Sequence, residues 1–256
     1  AVDELLGTEN PFRQYFDAVA YLMQQQPQSA LATLDAQKRH DHGVWWQIAA
    51  KAHELNGDPE EAAKCWDQAC QLMPHPDLLD RFAGFSVQQH RFEDAVRALK
   101  AAIPRSPGNT RLMERLAYAH SRLREFSEAA VIFRSLIQIE PTAHSHRINL
   151  AVCESRIGNP QLALDALSPI IDLANPDLRL IAFHIELLNS LNRAHDAFAD
   201  LEQLAEEHWR NPHFLVLYLD TAYRSGNDKS ANAAFRQLLK MQHGGELAEP
   251  VFQPAS

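Results

Sequence analysis

An alanine recurs along most of the chain at intervals of 32 to 34 residues, and this regularity restricts the fold more than any other feature. The seven alanines are Ala30, Ala62, Ala95, Ala129, Ala163, Ala197 and Ala231. A large apolar residue follows each of them four positions later, as Leu34, Trp66, Leu99, Phe133, Leu167, Leu201 and Phe235. Residues four apart share one face of an α-helix, so each small and large pair is expected to face the same neighbouring helix. The small side chains indicate that two helices cross closely there.

Two kinds of helix break alternate along the same period. Prolines separated by 33, 34, 35 and 36 residues mark one kind, at Pro74, Pro107, Pro141, Pro176 and Pro212. Glycine beside Asp or Asn marks the other, at 56–59, 158–160 and 226–228. Glycine suits the left-handed residue that ends a helix, and Asp or Asn followed by Pro is typical of a cap that starts the next. Each period therefore predicts a helical hairpin, and Pro104 and Pro169 predict short or kinked second helices.

The composition favours an all-helical chain. Only 9 of the 256 residues are glycine, too few for the many left-handed turns of sandwiches, barrels and phosphate-binding loops. A hydrophobic fraction of 46% and a charged fraction of 22% exclude a disordered chain. The formal net charge of -9 repels phosphate backbones and anionic lipids, so neither nucleic acid nor a membrane is expected as a partner.

The repeat resembles the tetratricopeptide repeat (TPR) family, whose unit of about 34 residues reads W-x2-L-G-x2-Y, then G, A-x3-F, A and P. The best copy begins at residue 43 and has Trp46, Ala49, Ala50, Gly57, Ala62, Trp66, Ala69 and Pro74 at the signature places. It departs at His53, which stands at the tyrosine position. Three copies are degenerate, with Asp17 at a leucine position of the first and Trp209 at the proline position of the sixth.

The resemblance implies an all-α fold, a right-handed α-solenoid (superhelix) of stacked antiparallel helix hairpins. Residues 1–241 would form one TPR solenoid with repeats at about 11–42, 43–75, 76–109, 110–143, 144–177, 178–211 and 212–241. Residues 242–256 are predicted to form a flexible C-terminal tail.

The C-terminal end leaves three alternatives open, because no evident capping helix follows Met241. In the first alternative, the chain folds back over the last hairpin through Leu247, Val251 and Phe252. In the second, it forms a homodimer through the uncapped repeat, and in the third, the sequence belongs to a longer protein. A start at Ala1 rather than methionine is compatible with a removed leader or preceding domain. The odd number of cysteines argues against a disulfide framework, so a cytoplasmic location is expected.

The sequence contains no known catalytic motif. Phosphate-binding glycine loops, HExxH, calcium loops and the GxSxG elbow are all missing. The closest histidine pairs, His40 with His42 and His144 with His146, fall at solvated repeat junctions, and residues two apart point to different helix faces. The acidic pairs at 60–61 and 206–207 fall in terminal helical turns. A protein without enzymatic activity, cofactor or metal is therefore predicted, with buried structural thiols.

The resemblance also implies a binding surface, because TPR arrays bind segments of other proteins in a concave groove lined by the first helix of each repeat. Carried over residue by residue, the predicted groove residues are Lys51, Arg111, Arg115, Tyr118, Arg122, Asn149, Arg156, Arg179 and Asn189. Arginine binds carboxylates through two parallel hydrogen bonds, which favours an acidic peptide or a C-terminal carboxylate as ligand. In the alternative, these arginines are solvated or paired with Glu114 and Glu186.

The sequence therefore predicts a non-enzymatic scaffold or adaptor that binds a peptide segment of a partner protein in its groove. The alternative function is a TPR targeting or regulatory arm of a larger enzyme, such as a transferase. A second surface is also open, because the first hairpin is rich in aromatic residues that pack in the core or contact a partner. They are Phe12, Tyr15, Phe16, Tyr21 and Trp45.

Overall fold

A computed structural model describes residues 13–35 and 42–243, and within these residues the chain is all-helical. The fourteen α-helices of the described residues are α1 (Arg13–Met23), α2 (Pro27–Asp35), α3 (Gly43–Asn56), α4 (Pro59–Leu72), α5 (Pro76–Gln88), α6 (Phe92–Ala102), α7 (Thr110–Arg122), α8 (Phe126–Ile139), α9 (His144–Ile157), α10 (Pro160–Leu167), α11 (Leu178–Ser190), α12 (Ala194–His208), α13 (Pro212–Arg224) and α14 (Asp228–His243). The predicted all-α class is confirmed. Helix α14 continues two residues into the predicted tail, and the rest of that tail lies outside the described residues.

The chain divides into two compact units, residues 1–132 and 133–256, with the boundary inside α8. In the N-terminal unit, α1 packs on α2, α3 on α4 and α5 on α6, and the following hairpin's first helix packs on each pair. In the C-terminal unit, α9 packs on α10, α11 on α12 and α13 on α14. Each unit is therefore built from stacked helix hairpins, as the repeat predicts.

The recurring alanines and most of the large apolar residues four positions after them belong to the core of the two units. All seven alanines are buried, and six of the large apolar residues four positions later are buried as well. The seventh, Phe235, is 38% exposed. Within residues 42–243 no hairpin follows α14, whereas Leu201, at the same position of the preceding repeat, is buried on a helix that packs on α13 of the next hairpin.

One left-handed residue ends the first helix of every hairpin, and it lies five positions before each alanine. These residues are Gln25, Gly57, His90, Arg124, Gly158, Asn192 and Gly226, with φ between 59° and 95°. The amide of the next residue donates to a carbonyl five residues back, as Asp58 does to His53 over 2.9 Å. This is the Schellman geometry. The predicted glycine positions are confirmed, and four hairpins make the same turn without glycine.

The predicted side-chain caps at Asp58 and Asn159 are wrong. Both residues occupy the position before a helix that begins with proline, but neither side chain bonds to a backbone amide of that helix. The Asp58 carboxylate instead accepts from the amide of Asn56 over 2.5 Å, and the Asn159 amide donates to Glu154 over 3.0 Å. Proline at the first helical position removes one of the amides that a cap would satisfy.

The prolines in the second helices act as predicted. Helix α6 ends at Ala102 and α10 ends at Leu167, and each is followed by one turn of 3-10 helix that contains Pro104 or Pro169. Proline lacks the amide that would continue the α-helical hydrogen bonds, so α10 is only 8 residues long.

The three cysteines are buried and none of them forms a disulfide, and they are expected to react slowly in the folded protein. Burial raises the pKa of the Cys65 thiol to about 11 and that of the Cys70 thiol to about 12, so little thiolate forms at about pH 8. A colorimetric thiol assay should show slow reaction in buffer and fast reaction of all three thiols in denaturant. Equal rates under both conditions would contradict the burial of these residues.

The junction histidines differ from the expectation of solvated side chains. His146 is buried, and its Nε2 lies 3.3 Å from the Glu140 carboxylate. It fills the start of α9 rather than facing water, so the prediction is wrong for this residue. His40 lies outside the described residues. No cluster of three or more metal-ligating side chains occurs within 13–35 and 42–243, and no described helix is long and apolar enough to cross a membrane.

Candidate peptide-binding site

In the N-terminal unit, the first helices of three successive repeats, α3, α5 and α7, line a cleft of about 380 Å³, which we name the cationic cleft. Its lining residues are Lys51, Glu54, Trp66, Asp80, Arg81, Gly84, Phe85, Gln88, Arg111 and Arg115. Four of these side chains are cationic and two are carboxylates. The cleft therefore carries an excess of positive charge in a chain whose formal net charge is -9.

Helix α7 places its basic residues on one side because its other side is buried. Arg111, Arg115, Tyr118 and Arg122 follow one another at spacings of four, three and four residues, which puts them on one helix face. The apolar residues Leu112, Leu116 and Ala119 are buried. Asn109 accepts a hydrogen bond from the amide of Leu112 over 3.4 Å and caps the helix start.

The two arginines at the start of α7 share one carboxylate, that of Asp80 on α5. The Arg111 Nη2 lies 3.3 Å from Asp80 Oδ2, and Arg115 Nη1 contacts Asp80 Oδ1. Arg115 Nη1 also donates to the main-chain oxygen of Asp80 over 3.3 Å. The sequence placed both arginines in the groove and named Glu114 as one acidic neighbour, and the structure adds a carboxylate of the preceding repeat that contacts both of them.

The other two cations of the cleft differ in their contacts. Lys51 Nζ lies 2.5 Å from Glu54 Oε2, and the indole of Trp66 donates to Glu54 Oε1 over 2.6 Å. Arg81 makes no ion pair within 4.0 Å among the residues that the structure describes. Its guanidinium therefore keeps its hydrogen-bond donors available to a ligand.

An apolar cleft of about 450 Å³ adjoins the cationic cleft. Its lining residues are Val19, Leu22, Met23, Gln25, Gln47, Ile48, Lys51, Leu55, Trp66 and Arg81. Lys51, Trp66 and Arg81 line both clefts, so the two form one continuous depression. Met23 is 82% exposed and Val19 lies one helical turn before it on α1, which makes this wall an exposed apolar surface.

Some of the aromatic residues that the sequence assigns to the first hairpin pack in the core, and others lie at the surface, where a partner could contact them. Tyr15 is buried, and so is Trp45, which the structure places on α3 in the second hairpin. Their burial supports core packing for them, and the Trp45 indole donates to the carbonyl of Leu34 over 3.1 Å. Phe16 is 52% exposed and leaves an apolar surface on α1. Phe12 lies outside the described residues.

Arg122, at the end of α7, lies among aromatic side chains. Its guanidinium carbon is 5.0 Å from the centre of the Phe92 ring and 5.9 Å from that of Tyr118. Its Nη1 also donates to the Tyr118 hydroxyl over 3.1 Å. Stacking on aromatic rings restrains this guanidinium, and no carboxylate lies within 4.0 Å of it in the described part of the chain.

The remaining four predicted groove residues lie in the C-terminal unit. Asn149 and Arg156 on α9 are exposed, and so is Arg179 on α11. Asn189 is half-buried, and its side-chain amide donates to the Thr221 hydroxyl over 3.2 Å, which ties α11 to α13.

Sequence reasoning missed the apolar cleft. Val19, Leu22, Met23 and Leu55 were not predicted as surface residues, and Trp66 was interpreted only as a core residue. The spacing of Val19 and Met23 on one helix face was the available signal, since an apolar face is expected to be covered.

The comparisons with known proteins agree with this architecture. A family model described as "Tetratricopeptide repeat" matches residues 87–144. Human "Tetratricopeptide repeat protein 7B" is 27% identical over 129 residues, which are 50% of this chain and 15% of that protein. The chain therefore spans only a small part of the length of that relative.

Several solved structures share the fold. The structure of "Naa15/Naa10 bound to HypK-THB" matches with a TM-score of 0.65 at 16% identity, over 89% of this chain and 36% of that one. The protein MamA matches with a TM-score of 0.58 at 14% identity, over 70% of this chain and 98% of that one. YrrB, described as "a TPR protein with an unusual peptide-binding site", matches with a TM-score of 0.55 at 18% identity, over 70% and 95%.

These similarities agree with the seven buried alanines and the seven left-handed turn residues of the described helices. The chain therefore contains tetratricopeptide repeat sequence at residues 87–144, and its described residues share the fold of solved tetratricopeptide repeat structures.

Proposed function

We propose that this chain is a protein-interaction scaffold whose N-terminal unit binds an acidic peptide segment of a partner protein. The observation that carries the proposal is the cationic cleft, in which four basic side chains face two carboxylates. Clustering of positive charge on one concave surface is unexpected for a chain of net charge -9 unless that surface has a use. Guanidinium groups of Arg81, Arg111 and Arg115 offer the planar pairs of donors that carboxylates accept.

The adjoining apolar cleft adds a requirement for the ligand. A segment that occupies the continuous depression would place an apolar side chain against Met23 and Trp66 and carboxylates near Arg81 and Arg111. Burial of the apolar side chain supplies affinity, and the charges supply specificity and fast association. The proposed ligand is therefore a short segment with an apolar residue close to two acidic residues.

A second function, a TPR arm of a larger multidomain enzyme, is favoured by one observation. The human relative and the Naa15/Naa10 structure are both much longer, since this chain spans 15% and 36% of them. Such an arm would use the same depression to bind a substrate segment. The absence of catalytic activity, the cytoplasmic location and the homodimer stay predictions.

Reversing the charge of Arg111 and Arg115 together is expected to weaken binding of an acidic peptide by at least about tenfold at low salt. The probes are end-blocked peptides in which one to three glycines separate a leucine from two aspartates, with asparagine in place of aspartate as the neutral reference. Calorimetric titration at about 50 mM and about 300 mM salt should show tighter binding at low salt, because screening shortens the reach of surface charges.

The matched control is Arg97→Glu with Arg105→Glu, which makes the same change in net charge on α6 and the turn after it. Arg97 is paired with Asp67 and Arg105 bonds to the carbonyl of Ala101, and neither lines the cleft. The proposal fails if the wild-type protein binds the acidic and neutral probes equally, or if the control loses as much affinity as the cleft variant.

A further inference from the structure

We infer that Asp80 competes with ligand carboxylates for Arg111 and Arg115, and that it thereby makes the site selective for segments with two adjacent negative charges. This inference rests on the proposed function and names the residue that sets its specificity. The basis is that Asp80, whose carboxylate contacts both of these arginines, is itself part of the cleft lining.

Asp80 holds the position that a ligand carboxylate would take. Its two oxygens contact different arginines, Oδ2 with Arg111 and Oδ1 with Arg115, so it bridges the pair. The side chain of Asp80 is 19% exposed, whereas those of Arg111 and Arg115 are 67% and 34% exposed. The cations thus face the cleft more openly than the carboxylate that pairs with them, and each guanidinium keeps unused donors.

A single ligand carboxylate gains little at the pair of Arg111 and Arg115. Two arginines and one aspartate present one net positive charge, and Asp80 is attached to the same fold, so its effective concentration at the arginines far exceeds that of a free ligand. A monoanionic ligand therefore either exchanges one carboxylate for another or binds beside Asp80 and is repelled by it.

A segment with two adjacent acidic residues avoids this limit. One ligand carboxylate binds Arg111 and Arg115 together with Asp80. The second ligand carboxylate binds Arg81, which lines the same cleft and makes no ion pair within the described residues. The combined attraction exceeds the repulsion from Asp80 because two cationic groups are engaged. The site therefore prefers two negative charges over one.

Asp80→Asn is the variant that tests this, because it removes the charge and keeps the size and one acceptor oxygen. We expect Asp80→Asn to bind a peptide with one aspartate at least about fivefold more tightly than the wild-type protein. The preference for two aspartates over one should shrink in the same titrations. Asp67→Asn, on α4 and paired with Arg97 outside the cleft, is the control with the same charge change.

The outcomes separate this inference from the proposed function. If Asp80→Asn binds both acidic probes more weakly, Asp80 positions the arginines rather than competing for them, and the inference is overturned. Unchanged affinity, or an equal gain in Asp67→Asn, also overturns it while leaving the proposed function intact. If neither protein distinguishes acidic from neutral probes, the proposed function itself fails. Thermal unfolding of each variant confirms that the titrations report on folded protein.

Discussion

Replacing Ala197 with leucine is expected to lower the free energy of unfolding by about 2 to 3 kcal/mol. Ala197 is fully buried on α12, where that helix packs on α11. Three additional carbon atoms at the crossing would force the helices apart or place the new side chain in a strained rotamer. The same alanine recurs in every hairpin, so the effect tests the close crossing on which the fold interpretation depends.

The chain supplies a matched control two residues further along the same helix. Ala199 is exposed, and leucine has nearly the helix propensity of alanine, so Ala199→Leu should change the free energy of unfolding by less than about 0.5 kcal/mol. Urea unfolding followed by circular dichroism measures both variants. Equal stability of the two proteins would refute the close packing of α11 and α12 at this alanine.

The helices and their core were predictable because burial imposes a regular pattern on the sequence. A hairpin that packs on both neighbours must place a small residue at each crossing, and the pair of Ala62 and Trp66 shows this as clearly as any. The pattern fails at Phe235, where the next hairpin is not available within the described residues. The large apolar residue of a repeat is therefore buried only where a neighbouring hairpin covers it.

The turns were only partly predictable. Gly57, Gly158 and Gly226 identified three of them, but His90 and Arg124 adopt the same left-handed conformation without the freedom of glycine. Such residues are disfavoured there by about 1 kcal/mol or more, and no local sequence signal marks them. Packing of the two helices and the backbone hydrogen bonds across the turn compensate for that cost, so the cause is tertiary.

The electrostatics of the candidate site were the least predictable part. The spacing of Arg111 and Arg115 placed them on one helix face, but their acidic partner, Asp80, lies on α5 in the preceding repeat. Which carboxylate they contact depends on how α5 packs beside α7, and the sequence of α7 does not contain that information. Glu154 illustrates the same limit, because it is buried in contact with Arg134 on another helix.

Replacing Trp66 with alanine is expected to have the largest effect of any single change considered, a loss of about 3 to 5 kcal/mol of unfolding free energy. The side chain is 4% exposed and packs at the crossing where Ala62 brings α3 and α4 together. Its removal leaves a cavity, which the surrounding helices close only in part. It also removes the wall that the cationic and apolar clefts share, so probe binding is expected to fall along with stability.

Trp66→Phe separates the two roles of this side chain. Phenylalanine keeps most of the apolar volume but cannot donate to Glu54, whose carboxylate then retains Lys51 and solvent as partners. We expect a loss of about 1 to 2 kcal/mol, because a hydrogen bond to a charged acceptor is lost at a partly accessible site. Urea unfolding of both variants gives the comparison. Losses of equal size would show that the hydrogen bond to Glu54, rather than the filled volume, dominates the contribution of Trp66, and a negligible loss in Trp66→Ala would show that this tryptophan does not belong to the core.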